Sequence, residues 1–372
     1  MSAPTAIALS GGVDSLFTAC LLKKAGKVVI GLHFLNGFEP HYIPAQTGTD
    51  LQHPILIRDP VKAGYERLQV DLQRMVADLD IPIFIFDCAA PFRSQVIDYF
   101  QKAYRSGETP NPCMVCNRRI KFGILLSAAQ GLGAHHLATG HYVRTRTAPD
   151  GRIHLLKGAD PRKDQAYFLA RLRQDQLAAA RFPLGEMEKH QVIDQAARIG
   201  LQPMAKQESQ DVCFIRDQAY GRFLTDTLGF NSLPGDIEDR EGNHLGRHQG
   251  LHLFTIGQRR GINCPSSEPY YVYALDTDRN VLVVGRRTDL ASRYCKVNDI
   301  NWINPPESTS LSVQARVRYR SPVADARVTL TSPISADVEF EQPQSALTPG
   351  QGAVFYSGNE VLGGGWISRA DQ

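Results

Sequence analysis

Short apolar runs alternate with helically spaced apolar positions over residues 5 to 140. "TAIAL" (5–9) and "KVVIGLHF" (27–34) have the length and continuity of buried strands. Between them Val13, Leu16, Phe17, Cys20 and Leu21 recur at three- and four-residue steps, which places them on one face of a helix. The same reading predicts helices around "YERLQVDLQRMVADL", "RSQVIDYFQKAY" and "IKFGILLSAAQGLG", and strands at "IPIFIFD" and "HHLATGHY". Strands that alternate with helices imply a parallel sheet covered on both sides. The stretch from Asn36 to about Asp59 is rich in Pro, Gly, His and Gln and predicts a long loop.

From about Gly151 the periodicity loosens, though "QAYFLARLRQDQLAAA" and "KHQVIDQAARIGL" still read as helices. Turn signals dominate after about Gln207. From about Pro269 a period of two takes over, in "YYVYALD", "VLVVGR", "SVQARVRYR", "ARVTLT", "ADVEFE", "GAVFYSG" and "VLGGGWI". The expected architecture is α/β. It has a Rossmann-like parallel-sheet domain over 1–206, a small central domain over 207–268 and a C-terminal antiparallel β-barrel over 269–372.

Composition narrows the class. A length of 372 residues is enough for two or three domains, each with its own core. The net charge of +3 excludes a polycation, so local charge clusters matter more than the total. Seven cysteines are too few for a disulfide scaffold, and the number is odd. A reducing compartment is expected. "MSAPTAIALSGG" lacks the basic start and long apolar run of a secretory leader, and no apolar run reaches the roughly 20 residues of a membrane span. The expectation is a soluble cytoplasmic protein with no membrane partner.

"IALSGGVDS" sets Ser10, Gly11, Gly12, Val13, Asp14 and Ser15 between the first strand and the first helix. Paired glycines let the backbone approach a phosphate with no Cβ in the way. The helix start offers free N–H groups and the positive end of its dipole. Ser10 and Ser15 add hydroxyl donors, and anionic Asp14 suits Mg²⁺ rather than the phosphate itself. A tight turn with an Asp/Ser cap is the structural alternative, but the full S-G-G-x-D-S pattern behind a strand favours a nucleotide. Neither a Walker A ending nor G-x-G-x-x-G is present. The loop resembles the PP-loop of the ATP pyrophosphatases, which cleave ATP between its α and β phosphates and form an adenylated intermediate. The first domain is therefore expected to be a PP-loop domain.

"TPNPCMVCNRRIKFG" (109–123) holds Cys113 and Cys116, followed by Arg118, Arg119 and Lys121. Such a pair can bind metal, close a disulfide or do chemistry on sulfur. With "LATGHYVR", "KDQAYFLARL", "SQDVCFI", "LFTIGQRRGI", "VVGR", "INWI" and "TPGQGAVFYSGNEVLGGGWI" in this order, the chain resembles the tRNA-specific 2-thiouridylase family, from the PP-loop almost to the C-terminus. The resemblance implies an ATP-dependent tRNA sulfurtransferase. Such an enzyme adenylates the C2 oxygen of the wobble uridine, position 34, and replaces it with sulfur. Implied partners are tRNAs of the Lys, Glu and Gln type and a sulfur donor protein or sulfide.

Carried over by motif, the resemblance makes Cys116 and Cys213 the catalytic cysteines, with Asp14 beside them. Sulfur chemistry needs a depressed thiol pKa, which Arg118, Arg119 and Lys121 are placed to supply. Cys113 stands where many family members have Asp, so that acid's role is not transferred. A structural zinc normally takes four protein ligands, and the CxxC has no second pair. Three thiols, Cys113, Cys116 and Cys213, would instead suit a [4Fe–4S] cluster with one open iron. The alternative is a persulfide and disulfide cycle between Cys116 and Cys213. Cys20, Cys88, Cys264 and Cys295 are expected to be structural.

The resemblance adds Leu32, Gly140 and His141 to the nucleotide site. "ATGHY" would lie at the carboxyl edge of the sheet, where ligands of such sheets bind, although His141 equally suits a turn. Lys163, Asp164 and Gln165 are implied near the tRNA, against the plainer reading of Asp164 as a helix cap. Electrostatic tRNA contact is expected from Arg118, Arg119, Lys121, Arg259 and Arg260, with Arg286 and Arg287 as further candidates. A basic stripe of Arg316, Arg318 and Arg320 along one strand is also expected. Two other functions are weighed: a small-molecule ligase with an adenylated intermediate, which keeps the loop but which the paired cysteines and the C-terminal β domain speak against, and a non-catalytic RNA-binding module in which the β domain does the work, which the intact S-G-G-x-D-S argues against.

Overall fold

Four apolar runs settle next to one another because each is buried on both faces. In chain order the first strands are β1 (Thr5–Ala8), β2 (Val29–Leu35), β3 (Ile55–Leu56), β4 (Ile83–Asp87) and β5 (His136–Ala138). Next come β6 (Val143–Thr147), β7 (Ile153–Lys157) and β8 (Ala180–Arg181). One sheet runs β3-β4-β2-β1-β5-β8. All its pairings are parallel except β3 with β4. β1 lies at the centre with Ala6 and Ile7 fully buried. The carboxyl ends of β1, β2, β4 and β5 therefore share one edge of the sheet, the edge that serves ligands in folds of this type.

The computed structural model describes residues 3–39, 42–44, 53–204, 212–215 and 220–368. The expected boundary between Lys206 and Gln207 lies outside these, as do residues 209–211 of "SQDVCFI" and parts of the loop after Asn36. The chain forms two compact units. One comprises Met1–Ile97, Cys113–Phe214 and Asn359–Leu362; the other comprises Asp98–Pro112, Ile215–Gly358 and Gly363–Gln372.

In the first unit the helix Val13–Lys24 follows β1. The helix Glu66–Val76 packs Leu72, Met75 and Val76 into the same core as Ile7, Leu9 and Leu35. Helical structure over 112–131 begins earlier than the periodicity predicts, because Pro112 suits a first helical turn, where no N–H is needed. The long helix expected over 165–180 is two short ones, Ala166–Leu169 and Gln174–Ala179. The break comes at Arg173, which is extended and whose N–H is capped by Gln176 Oε1 at 3.1 Å. The hairpin β6–β7 was not expected. Its strand "VRTRT" buries only its first residue and so carries no clear alternation. Residues 360 and 361 return to this unit and pair with Leu156 and Leu155 of β7.

In the second unit the next four strands are β9 (Gly235–Glu238), β10 (His244–His248), β11 (Tyr271–Asp276) and β12 (Val281–Gly285). They form a sheet in the order β10-β9-β12-β11 over Ile237, Phe254, Val272, Leu282 and Val284. The strands "YYVYALD" and "VLVVGR", grouped with the C-terminal ones in the sequence, thus belong to this central sheet. The last six are β13 (Ala291–Trp302), β14 (Ser310–Arg316), β15 (Ala324–Ser332), β16 (Ser335–Ser345), β17 (Gly352–Ser357) and β18 (Glu360–Ile367). They run β13-β16-β15-β14-β17-β18, and β18 pairs back onto β13, which closes an antiparallel barrel. Closure removes the free edges such strands would otherwise expose.

Candidate active site

The loop between β1 and the first helix is folded onto itself. Gly11 takes φ of +86°, a left-handed conformation that favours glycine. Ser15 Oγ donates to Gly12 O at 2.9 Å and accepts the Ser10 N–H at 3.2 Å. A Cβ built on Gly12 would meet only Ser10 Oγ, at 3.7 Å, so the space beside this turn is open at the helix start. Gly140, just after β5, closes the other side. A Cβ there would come within 2.9 Å of the Asp14 carbonyl carbon and Cβ, and 3.0 Å of Ser15 N.

Asp14 does not stand free for a cation. Its two carboxylate oxygens accept hydrogen bonds from Lys189 Nζ at 2.7 Å each, and Oδ1 also accepts from the Tyr142 hydroxyl at 2.7 Å. The Lys189 side chain is only 11% exposed. In this geometry Asp14 anchors an ammonium beside the phosphate loop. Lys189 and Tyr142 were missed from the sequence. Lys189 opens the helix Lys189–Arg198, a start that the periodicity marks, but nothing in the sequence joins it to Asp14.

Leu32 lies fully buried in β2, and its carbonyl accepts the Leu9 N–H at 2.8 Å, so its place is in the sheet's packing. His141 is buried between the rings of Phe122 and Phe182, each 6.4 Å away, with Nδ1 2.8 Å from Thr139 Oγ1. Burial, helped by Lys121, holds its pKa well below the usual imidazole value, so it is neutral near pH 7. Gln165 Oε1 accepts the Tyr142 N–H at 3.0 Å, and buried Asp164 accepts the N–H groups of Gly158 and Ala166 at 3.0 and 3.1 Å. Asp164 thus holds backbone, much as the helix-cap reading had it, while Lys163 is half-buried.

All seven cysteines are free thiols. Cys113 and Cys116 sit on the first turn of the helix Pro112–Cys116, half-buried and buried. Exposed Cys213 comes from far along the chain to the same neighbourhood, since its charge bears on both of the others. Lys121 acts electrostatically on all three thiols and on His141, so one cation is shared by the sulfur groups and the residue after Gly140.

The thiols are not depressed as the basic run suggests. Burial pushes Cys113 up to about 11 and Cys116 up to about 12, against the pull of Lys121. Crowding by surrounding protein also raises Cys213, opposed by Lys121 and by the Asn36 amide. Desolvation of the anion outweighs one nearby cation. Arg119 is exposed and Arg118 half-buried. Among the described residues no three His, Cys, Asp or Glu side chains converge closely enough to hold a single metal ion.

In the second unit Arg259 and Arg260 are exposed on a turn pinned by Gln258 Nε2 to Arg260 O at 2.9 Å. Arg286 lies 4.3 Å from the Tyr270 ring centroid and donates to Glu268 O at 2.5 Å; Arg287 is exposed. The expected stripe of Arg316, Arg318 and Arg320 does not form, because β14 ends at Arg316. Arg318 turns inward and donates to the Ile256 and Ala346 carbonyls, at 3.1 and 2.9 Å, and to the Thr348 hydroxyl.

Comparison with known proteins covers nearly the whole chain. The family model described as tRNA methyl transferase HUP domain matches residues 4–217. Those described as tRNA methyl transferase PRC-barrel domain and aminomethyltransferase beta-barrel domain match 221–286 and 292–367. The tRNA-specific 2-thiouridylase MnmA of Desulfosudis oleivorans is 50% identical over 366 residues, which is 98% of this chain and 95% of that protein. The protein of the same name from Geobacter metallireducens is 41% identical over 364 residues, covering 98% and 96%. That from Chlorobium phaeobacteroides is 40% identical over 377 residues, covering 100% and 99%.

Proposed function

Because this chain belongs to the tRNA-specific 2-thiouridylase family, we propose that it thiolates C2 of the wobble uridine of tRNA at the expense of ATP. The observation that carries this reading is that Cys213 returns to the neighbourhood of Cys113 and Cys116, all three under the charge of Lys121, within the unit that also holds the Gly11–Gly12 loop. An ATP-activating loop and a sulfur-bearing group within one unit are what oxygen-for-sulfur exchange needs.

ATP, as its Mg²⁺ complex, seats its phosphates on the open side of Gly12 and the helix start. The uridine C2 oxygen attacks the α phosphorus and pyrophosphate leaves. Cys213 thiolate takes the outer sulfur of a persulfide on the donor protein, whose thiolate leaves; that sulfur, now on Cys213, attacks C2, and the C2–O bond breaks with AMP as the leaving group. Cys116 thiolate then attacks the inner Cys213 sulfur, which cleaves the persulfide bond and leaves sulfur on C2 with a Cys116–Cys213 disulfide. A thiol reductant supplies the two electrons that reopen it. Raised resting pKa values keep the thiols protonated until substrate arrives. Among the described residues the three thiols do not converge as a metal site, so the [4Fe–4S] alternative draws no support from their geometry.

Acceptors of the Lys, Glu and Gln type, a sulfur donor protein or sulfide, and a cytoplasmic setting belong to this proposal. So does a division of labour that puts ATP chemistry in 1–206, tRNA contact in 207–268 and a barrel in 269–372. The positions observed amend it: Cys213 acts with the first part, and β11 and β12 belong with the second. Among the described residues no helix is long and apolar enough to cross a membrane. The test is Cys213→Ala in a thiolation assay with tRNA binding measured in parallel. Thiolation should vanish and binding persist; retained thiolation, or lost binding, overturns the assignment. Iron and sulfide analysis after anaerobic purification separates the two sulfur routes.

A further inference from the structure

The turn after β2 has no role in the steps above, yet it meets Cys213 directly. Asn36 Nδ2 lies 3.8 Å from Cys213 Sγ. The amide's orientation is fixed, because its Oδ1 accepts the Phe38 N–H at 2.9 Å and leaves the NH₂ end to face the sulfur. Glu39 pins the turn by accepting the N–H groups of Asn36 and Gly37 at 2.7 and 3.0 Å. Aromatic packing ties the two chain segments together. The Phe38 ring lies 5.8 Å from that of Phe214, the neighbour of Cys213. Both rings meet fully buried Phe92, at 6.3 and 5.7 Å. Edge-to-face contacts of this kind fix orientation as well as burying area.

We propose that Asn36 is a positioning residue for Cys213, its amide N–H donating to Sγ and steadying the anionic sulfur, with the Phe38–Phe92–Phe214 cluster setting the contact. The proposal rests on the reading of Cys213 as sulfur carrier. A donor gains more from a thiolate than from a thiol, whose sulfur is a weak acceptor. Four ionisable groups also bear on this sulfur. Lys121 favours its charge, Glu39 opposes it, and the thiols of Cys113 and Cys116 resist a second negative charge nearby. Asn36 is the neutral member of the set, so its effect is little screened by salt.

The test uses the full chain and follows iodoacetamide alkylation of each cysteine across a pH series, read by peptide mass spectrometry. Asn36→Ala should raise the Cys213 midpoint by about one pH unit, roughly a tenfold loss of thiolate below it. Cys113 and Cys116 should keep their midpoints. Asn36→Asp should shift Cys213 further, since it adds a like charge. A Cys213 midpoint unmoved in both variants overturns the proposal. So does a common shift of all three thiols, which would mark general loosening. Thiolation that survives Cys213→Ala would instead refute the sulfur-carrier reading and leave the titration result standing.

Discussion

Replacing Gly140 by Ala tests whether contact between β5 and the phosphate loop sets ATP use. The added methyl would sit 2.9 Å from the Asp14 carbonyl carbon and Cβ, and 3.0 Å from Ser15 N. Relaxed carbon contacts lie near 3.5–4.0 Å, so the two segments must part by about 0.5–1 Å. Most of the crowded atoms are main chain at a helix start, so no flexible side chain can swing away. Overpacking of this size costs about 1–3 kcal/mol. For a unit of this size that lowers the thermal midpoint by about 2–10 °C. The larger effect falls on chemistry: a shift of about 1 Å in a positioning element costs on the order of a hundredfold in rate. The assay is tRNA-dependent pyrophosphate release at varied ATP, run beside thermal unfolding. Gly131→Ala is the control, because a Cβ there meets nothing within 4 Å. It should leave kinetics alone and stability equal or slightly higher. Gly140→Ala with kcat/KM for ATP within about twofold of the unmodified chain would refute the reasoning.

Four further outcomes follow from the geometry. Lys189→Met leaves Asp14, whose side chain is 25% exposed, without its cation and should cost about 2–3 kcal/mol, largely recovered on adding Asp14→Asn. Simple additivity of the two changes in denaturant titration would deny the coupling. Burial holds Cys113 and Cys116 near 11 and 12, so alkylation is slow at neutral pH and quickens as pH climbs. Their folded values exceed the unfolded value of about 8.5, so their contribution to stability is full below about pH 8.5 and disappears as pH rises through the folded values. Lys121→Ala should move both midpoints higher still; a fall would contradict the electrostatics. Arg318→Ala strands the Ile256 carbonyl, leaves Ala346 O with only the Thr348 hydroxyl, and should cost about 1–3 kcal/mol in unfolding measurements. Arg259→Ala and Arg260→Ala should spare stability, weaken tRNA binding and lower its salt slope by about one each; unchanged slopes would remove them from the tRNA face.

The parallel sheet was legible because uninterrupted apolar runs declare strands buried on both faces, and S-G-G-x-D-S declares its own turn. The hairpin β6–β7 was not, since its exposed residues carry no alternation. Arg173 interrupts a stretch whose side chains keep helical spacing, and only its capping bond reveals the stop. The pairing of Asp14 with Lys189 is a tertiary contact between two residues that each look like ordinary helix starts. The thiols teach a different lesson. Counting cations near a cysteine in sequence captures attraction but not desolvation, and here desolvation is the larger effect. Arg318 likewise reads as one of three basic residues on a strand, until its inward hydrogen bonds give it a packing role.

The short return of residues 359–362 to the first unit has a consequence for biosynthesis. Lys157 N donates to Asn359 O at 2.8 Å, and His154 pairs with Glu360 at 2.6 Å, so β7 is completed by chain made 206 residues after His154. The first unit keeps an unsatisfied strand edge until that downstream segment has been synthesised. A ribosomal product that stops short of Asn359 would carry a nearly finished catalytic unit with that edge bare, in a form suited to aggregation or capture by chaperones.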